Sequence, residues 1–196
     1  CLELLSLSCN EIVEIPTTLS CCTELQQLIC AANQLTGFKE GALGGLINLV
    51  DLQLPYNNLE ALPEDLGTLP RLRTLFANNN RIARLPANCD GLTELEVLHL
   101  HNNCLDALTQ GISSLCSLEV LWASYNRITE LPPGLAHCTA LTEIKLSHNI
   151  IDDLREPDRG ILEITGLVRL HLHRNRLLEV PDRESLHQES GVADIG

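Results

Sequence analysis

Aromatic side chains are nearly missing from this sequence of 196 residues: one Trp, two Tyr and two Phe, 3% of the chain. Its interior cannot be built from rings, so aliphatic side chains must fill it. Basic residues are also scarce, 13 Lys and Arg against 26 Asp and Glu, for a formal net charge of −13. That balance argues against general binding to nucleic acid or to an anionic membrane. No apolar run reaches the roughly 20 residues that a membrane-spanning helix needs, so membrane insertion is not expected. No CxxC pair occurs among the nine cysteines, which removes zinc sites built on that spacing. Methionine is absent even from position 1, and the opening Cys1-Leu2-Glu3-Leu4-Leu5 lacks the basic start of a signal peptide. The expectation is a fragment of a longer reading frame. None of the 14 asparagines begins an N-x-S/T sequon. An odd number of cysteines fits reduced, small apolar side chains better than a disulfide framework. Both cues predict a cytoplasmic protein.

What the sequence has is a period. Asn10, Asn33, Asn57, Asn80, Asn103, Asn126, Asn149 and Asn175 follow one another at 23, 24, 23, 23, 23, 23 and 26 residues. Each sits in the frame L-x-x-L-x-L-x-x-N-x-L, as in Leu49, Leu52, Leu54, Asn57 and Leu59. Six residues after the asparagine comes a proline in five of the eight copies: Pro16, Pro63, Pro86, Pro132 and Pro181. Apolar residues then follow every three positions, as in Leu66, Leu69 and Leu72.

The alternation x-L-x-L-x is that of a strand buried on one face. Strands of successive copies should stack in parallel. The asparagine carries donors and an acceptor on one short side chain. At a buried turn it should satisfy main-chain groups of its own loop and of the next coil. The three-residue apolar spacing suits 3₁₀ or extended turns better than an α-helix. Cys22, Cys89 and Cys138 stand where other copies have leucine and should pack in the core, whereas Cys9, Cys21, Cys104 and Cys116 fall outside the leucine frame.

These residues resemble the leucine-rich repeat family in its 23-residue L-x-x-L-P-x-x-L class, over roughly residues 2 to 181. The resemblance implies an α/β repeat solenoid, a curved horseshoe with a parallel sheet on its concave face and turns or 3₁₀ segments on its convex face. Residues 1–181 are expected to form the eight repeats and 182–196 a polar, frayed tail. Copy seven is longer by three residues, expected as a convex surface loop at 155–160.

The concave face can be written out from the frame. Its central column reads Ser6, Ile29, Gln53, Phe76, His99, Trp122, Lys145, His171. Four of the five aromatic residues, Tyr56, Phe76, Trp122 and Tyr125, fall on this face. With strands about 4.8 Å apart, Phe76, His99 and Trp122 should form one strip, with Val97 and Val120 beside it. Exposed aromatic strips of this kind serve as anchors for partners. Copies seven and eight place Lys145, His148, Arg169, His171, His173 and Arg174 on the same face, opposed by Glu143. This basic end should meet an acidic element of a partner. With His101, these are the candidate partner-binding residues.

Five histidines on one face raise the question of metal. The pairs His99/His101 and His171/His173 lie three copies apart, about 14 Å, too far to share an ion. His148, His171 and His173 are the remaining candidate set, and polar contact is the preferred reading of them. No G-x-S-x-G, phosphate-cradling glycine loop or HExxH occurs, so neither catalysis nor a cofactor is expected.

The expected function is therefore a non-catalytic protein-protein interaction module, an intracellular signalling scaffold. The repeats resemble those of Ras-suppressor-like, scribble-type and plant intracellular Ras-group-related proteins. That resemblance implies signalling-protein partners, small GTPases among them, although no residue pattern here selects a GTPase. The alternatives are a recruiting segment of a larger kinase, phosphatase, cyclase or ubiquitin ligase, an immune-receptor ectodomain, or a metal protein.

Overall fold

The structure is a computed structural model that describes residues 1–154, 161 and 164–178. The expected loop at 155–160, Pro181 and the tail at 182–196 lie outside the described residues. Ten strands occur in the described chain: β1 (Leu4–Ser6), β2 (Glu14–Ile15), β3 (Gln27–Ile29), β4 (Gly37–Phe38), β5 (Asp51–Gln53), β6 (Thr74–Phe76), β7 (Val97–His99), β8 (Val120–Trp122), β9 (Glu143–Lys145) and β10 (Arg169–His171). Eight of them form one parallel sheet in the order β1-β3-β5-β6-β7-β8-β9-β10. Each strand pairs with the strand one copy away, in register, so that Phe76 faces His99 and His99 faces Trp122. The middle residue of each inner strand points inward: Leu28, Leu52, Leu75, Leu98, Leu121 and Ile144 are buried. The flanking residues of β5 to β8 stay half-buried on the concave face. β2 and β4 make a second, two-stranded parallel sheet.

No α-helix occurs among the described residues. The convex side instead carries 3₁₀ turns at Thr17–Cys21, Glu64–Thr68, Gln110–Ser114 and Pro133–His137. In copy three the bonds Leu66 N–H to Pro63 O, Leu69 N–H to Leu66 O and Leu72 N–H to Leu69 O run in series. An apolar residue every third position keeps one face inward in a helix of three residues per turn. Extended prolines Pro16, Pro63 and Pro132 precede three of these turns. The fourth lacks proline, and there the Thr109 side chain accepts a hydrogen bond from the Gly111 N–H.

Adjacent coils approach closely on this side. A Cβ on Gly67 would collide with the Asn88 main-chain oxygen, and one on Gly91 with that of Gly67. The leucine lattice forms one continuous core cluster. Cys30, Cys89 and Cys138 are buried in it, while Cys22 is half-buried against it. Burial pushes the thiols of Cys30 and Cys89 up to about 11 and that of Cys138 up to about 12, so they stay protonated. Cys89 is shorter than the residues at its equivalents, Leu66 and Ile112, and lines an apolar cavity of ≈ 20 Å³ between them. All nine cysteines are free, with Cys9, Cys21 and Cys116 exposed.

At the end of each strand the chain turns on the asparagine. Asn126 is representative. Its amide nitrogen donates to Ala123 O at 3.0 Å in its own loop and to Leu100 O at 3.0 Å in the coil before. Its oxygen accepts from Leu105 N–H at 2.9 Å. The expected second set of bonds therefore runs back to the preceding coil and not to the next. Leu105 N–H has no main-chain acceptor, and the following copy's asparagine supplies one. Asn33, Asn57, Asn80, Asn103, Asn149 and Asn175 repeat the arrangement. The residue before each asparagine is left-handed: Cys9, Ala32, Tyr56, Asn79, Asn102, Tyr125, His148 and Arg174 have φ between 54° and 59°. Such a conformation costs a non-glycine residue about 1–2 kcal/mol. The asparagine's bonds, worth roughly 1 kcal/mol each, offset it.

Candidate protein-binding face

Alternation along each short strand sends every second side chain to the concave surface, and the parallel register lines these up across coils. The central column becomes a stack. The Phe76 and His99 rings lie 4.5 Å apart at 16°. His99 and Trp122 lie 4.0 Å apart at 4°. Lys145 Nζ then sits over the Trp122 ring at 3.6 Å from its centroid, a cation on a π face. Both faces of Trp122 are covered. His101 is tilted against Trp122 at 6.1 Å.

Glu143 holds this arrangement. Only 8% exposed, it accepts from Trp122 Nε1 at 3.0 Å, Lys145 Nζ at 2.9 Å and Arg169 Nε at 2.6 Å. The hydrogen bonds from Lys145 and Arg169 hold its carboxyl down at about 2. A buried carboxylate with three donors is fully satisfied and fixes the side chains that reach it. Two of the cations expected to make this end basic are therefore already engaged with it.

The histidines are neutral in the middle of the face. Burial within the stack lowers His99 to about 4, assisted by the nearby charges of His101 and Lys145. Burial also lowers His101. Asp51, further along, is bonded by Gln53 Nε2 at 2.7 Å, and burial raises its carboxyl.

Tyr56, Tyr125, His148 and Arg174 do not join the central column. As left-handed corner residues they form a second row along the rim. Tyr125 stacks on His148 at 4.0 Å, and His148 meets His173 edge-on at 5.5 Å. Tyr56, 62% exposed, stands apart from both clusters. His173 Nδ1 pairs with Ser147 Oγ at 2.9 Å. Among the described residues no three His, Cys, Asp or Glu side chains are placed to hold a metal ion. His171 lies on β10 in register with Lys145.

Sequence reasoning missed Glu143 as the organiser of the site and the corner row as a separate surface. The first could be found by reading the columns diagonally, since Glu143 adjoins Trp122, Lys145 and Arg169 in register. The second is marked by position, just before each repeating asparagine, and not by residue type, because the corner residues are chemically unlike one another.

The architecture is that of a solenoid whose repeats present one extended concave surface. A family model described as leucine-rich repeat region matches residues 29–153. The chain belongs to the leucine-rich repeat family. MAP kinase phosphatase with leucine-rich repeats protein 1 of Dictyostelium discoideum is 34% identical over 79 residues, 40% of this chain and 10% of that protein. The chain thus spans about a tenth of that relative's length. The solved TLR13–ssRNA13 complex superposes with a TM-score of 0.79 at 26% identity, covering 90% of this chain and 26% of that one. A leucine-rich repeat protein of Leptospira interrogans aligns over 91% of this chain and 56% of its own, at 22% identity and a TM-score of 0.46. Among the described residues no helix is long and apolar enough to cross a membrane.

Proposed function

We propose that this chain is a non-catalytic protein-binding module, part of an intracellular signalling scaffold, that takes a protein partner on its concave face. The observation that carries the reading is the pre-built column Phe76–His99–Trp122–Lys145, held by Glu143. Side chains already fixed in place lose little freedom when a partner arrives, which is how a small aromatic surface becomes an anchor. His101, Tyr56, Tyr125 and His148 extend the surface. Arg169, His171, His173 and Arg174 form the end that receives an acidic element, and no carboxylate among the described residues engages Arg174. A small GTPase is one partner class that the family resemblance implies. The free cysteines support a cytoplasmic location.

The same geometry disfavours nucleic acid, the ligand in the TLR13 complex. Base stacking needs open ring faces, and both faces of Trp122 are taken. The net charge of −13 acts in the same direction. A second reading follows from the Dictyostelium relative, whose name joins leucine-rich repeats to a phosphatase. In it the repeats recruit substrates or regulators for a larger signalling enzyme through the same face.

The test is affinity capture with the wild-type chain against a Phe76→Ala/Trp122→Ala variant, followed by binding measurements on the proteins lost. Trp122→Ala should weaken a captured partner by about 2 kcal/mol, the range of an aromatic anchor. An unchanged dissociation constant removes the stack from the binding site.

A further inference from the structure

The rim row of left-handed corners runs Tyr56, Asn79, Asn102, Tyr125, His148, Arg174. Its middle is a pair of amides. Asn102 Nδ2 donates to Asn79 Oδ1 at 3.0 Å across adjacent coils. Among the described residues that bond leaves the Asn79 amide nitrogen and the Asn102 amide oxygen without side-chain or main-chain partners, and turning both amides over still leaves one donor and one acceptor. The pair lies at the surface, Asn102 exposed and Asn79 half-buried. Exposed tyrosines bracket it, Tyr56 at 62% and Tyr125 at 51%. The row ends on Arg174, exposed and engaged by no carboxylate among the described residues.

A free amide donor and a free amide acceptor on adjacent coils match the C=O and N–H that a peptide chain offers. Helices use their main-chain groups internally, whereas an extended segment still has its N–H and C=O to offer. We propose that the corner row is the docking line for an extended segment of a protein partner. Asn79 and Asn102 hydrogen-bond its main chain, the two tyrosines cover its flanks, and Arg174 pairs with an acidic side chain. The inference rests on the concave-face reading above and specifies the partner's conformation and charge.

The geometry sets the spacing. Asn102 and Arg174 lie three coils apart, about 14 Å at about 4.8 Å per coil. An extended chain covers that in roughly four residues at about 3.3 Å each. The acidic residue should therefore stand roughly four residues from the residue held by the amide pair.

The experiment selects random linear peptides of roughly 12 residues, displayed on phage, against the full chain; that length exceeds the row at about 3.3 Å per residue. The tightest peptide is then scanned by N-methylation, which removes one N–H at a time. Methylation at one position should weaken binding to the wild type by about tenfold, the effect of losing one well-made hydrogen bond. It should matter little to an Asn79→Ala/Asn102→Ala variant. Arg174→Ala should erase the advantage of the acidic residue. Alanine takes the left-handed corner conformation less readily than asparagine, so unchanged circular dichroism with a modestly lowered melting temperature is expected and establishes that the variants fold. Failure to enrich any peptide overturns the inference, as does a flat methylation scan, a helical bound peptide, or full affinity for the amide variant. Trp122→Ala, measured with the same peptide, separates the two readings. Loss with Trp122→Ala but none with the amide variant leaves concave-face binding standing and removes the extended segment. Loss with neither removes both.

Discussion

The asparagine corner and the strand face come from one 23-residue frame, yet the coils treat them in opposite ways. At the corner, coil after coil uses asparagine with the same bonds to its own loop and to the coil before. On the face, the central column runs through serine, isoleucine, glutamine, phenylalanine, histidine, tryptophan and lysine. The corner looks inward, where an unpaired polar group costs about 1–3 kcal/mol, so chemistry leaves little choice. The face looks outward, where most substitutions cost little. Residues on the face are thus free to specialise, and one stretch has done so in a way that borrows the corner's logic. Around Glu143 the face becomes a satisfied, nearly buried polar cluster.

The contrast can be broken from either side. The largest effect should come from Asn126→Ala. It strands Leu105 N–H, whereas Leu100 O keeps its bond from Asn103 and Ala123 O keeps its bond from Asn149. One stranded group and two lost hydrogen bonds should together cost about 3–4 kcal/mol in urea denaturation. A loss below about 1 kcal/mol, the scale of one ordinary hydrogen bond, would show the corner to be as tolerant as the face.

Next comes Glu143, the face residue that behaves like a corner. Its carboxyl is held at about 2 in the folded chain. An unfolded chain takes up the proton near pH 4.3. The stabilisation is therefore complete above that pH and is lost as pH falls towards 2. About 2–3 kcal/mol should disappear across that window. Glu143→Gln keeps the shape and should flatten that limb of the stability profile relative to wild type. Identical profiles would show that the cluster adds no stability.

His99 should act with a smaller amplitude and at higher pH. Its folded value of about 4 lies below that of an unfolded histidine near 6.5. The unfolded chain binds a proton first, so stability declines as pH falls from about 6.5 to about 4. Screening at this half-exposed ring reduces the loss to roughly 1–2 kcal/mol. His99→Phe retains a ring in the stack and should reduce the decline, leaving the part that His101 contributes. It follows that His99 contributes nothing to a pH dependence of binding between pH 7 and 8. The smallest effect belongs to the interior. Cys89→Leu should fill the cavity between Leu66 and Ile112 and raise stability by about 0.5–1 kcal/mol. A loss instead would mean that the coils on that side are too tightly packed to accept the added volume.

The period of two inside a period of 23 made the strands, their parallel order, the inward leucines and the membership of each face column legible, because both periods depend on the spacing of apolar residues alone. The 3₁₀ turns were legible for the same reason. The burial of Cys89 and Cys138 followed from their places in the leucine lattice, whereas Cys22, expected in the core with them, is only half-buried. The central strip Phe76–His99–Trp122 was legible as a neighbourhood. The stack within it was not, because whether rings lie flat on one another or point outward depends on rotamers that no spacing encodes. Tyr56 and Tyr125 were assigned to the face, and the left-handed corners move them to a separate row on its rim.

Charge divides in the same way. The sequence by itself determined how many cations fall at the β9–β10 end, since register alone assigns Lys145 and Arg169 to that face. Only the tertiary structure decided that both point at Glu143, that Arg174 has no carboxylate partner among the described residues, and that Asn79 and Asn102 share one bond. Repeating apolar residues fix where the backbone goes, because burying them dominates the folding energy. Polar side chains on a surface choose partners by distance and angle at the level of an ångström, and that choice exists only once the coils are stacked.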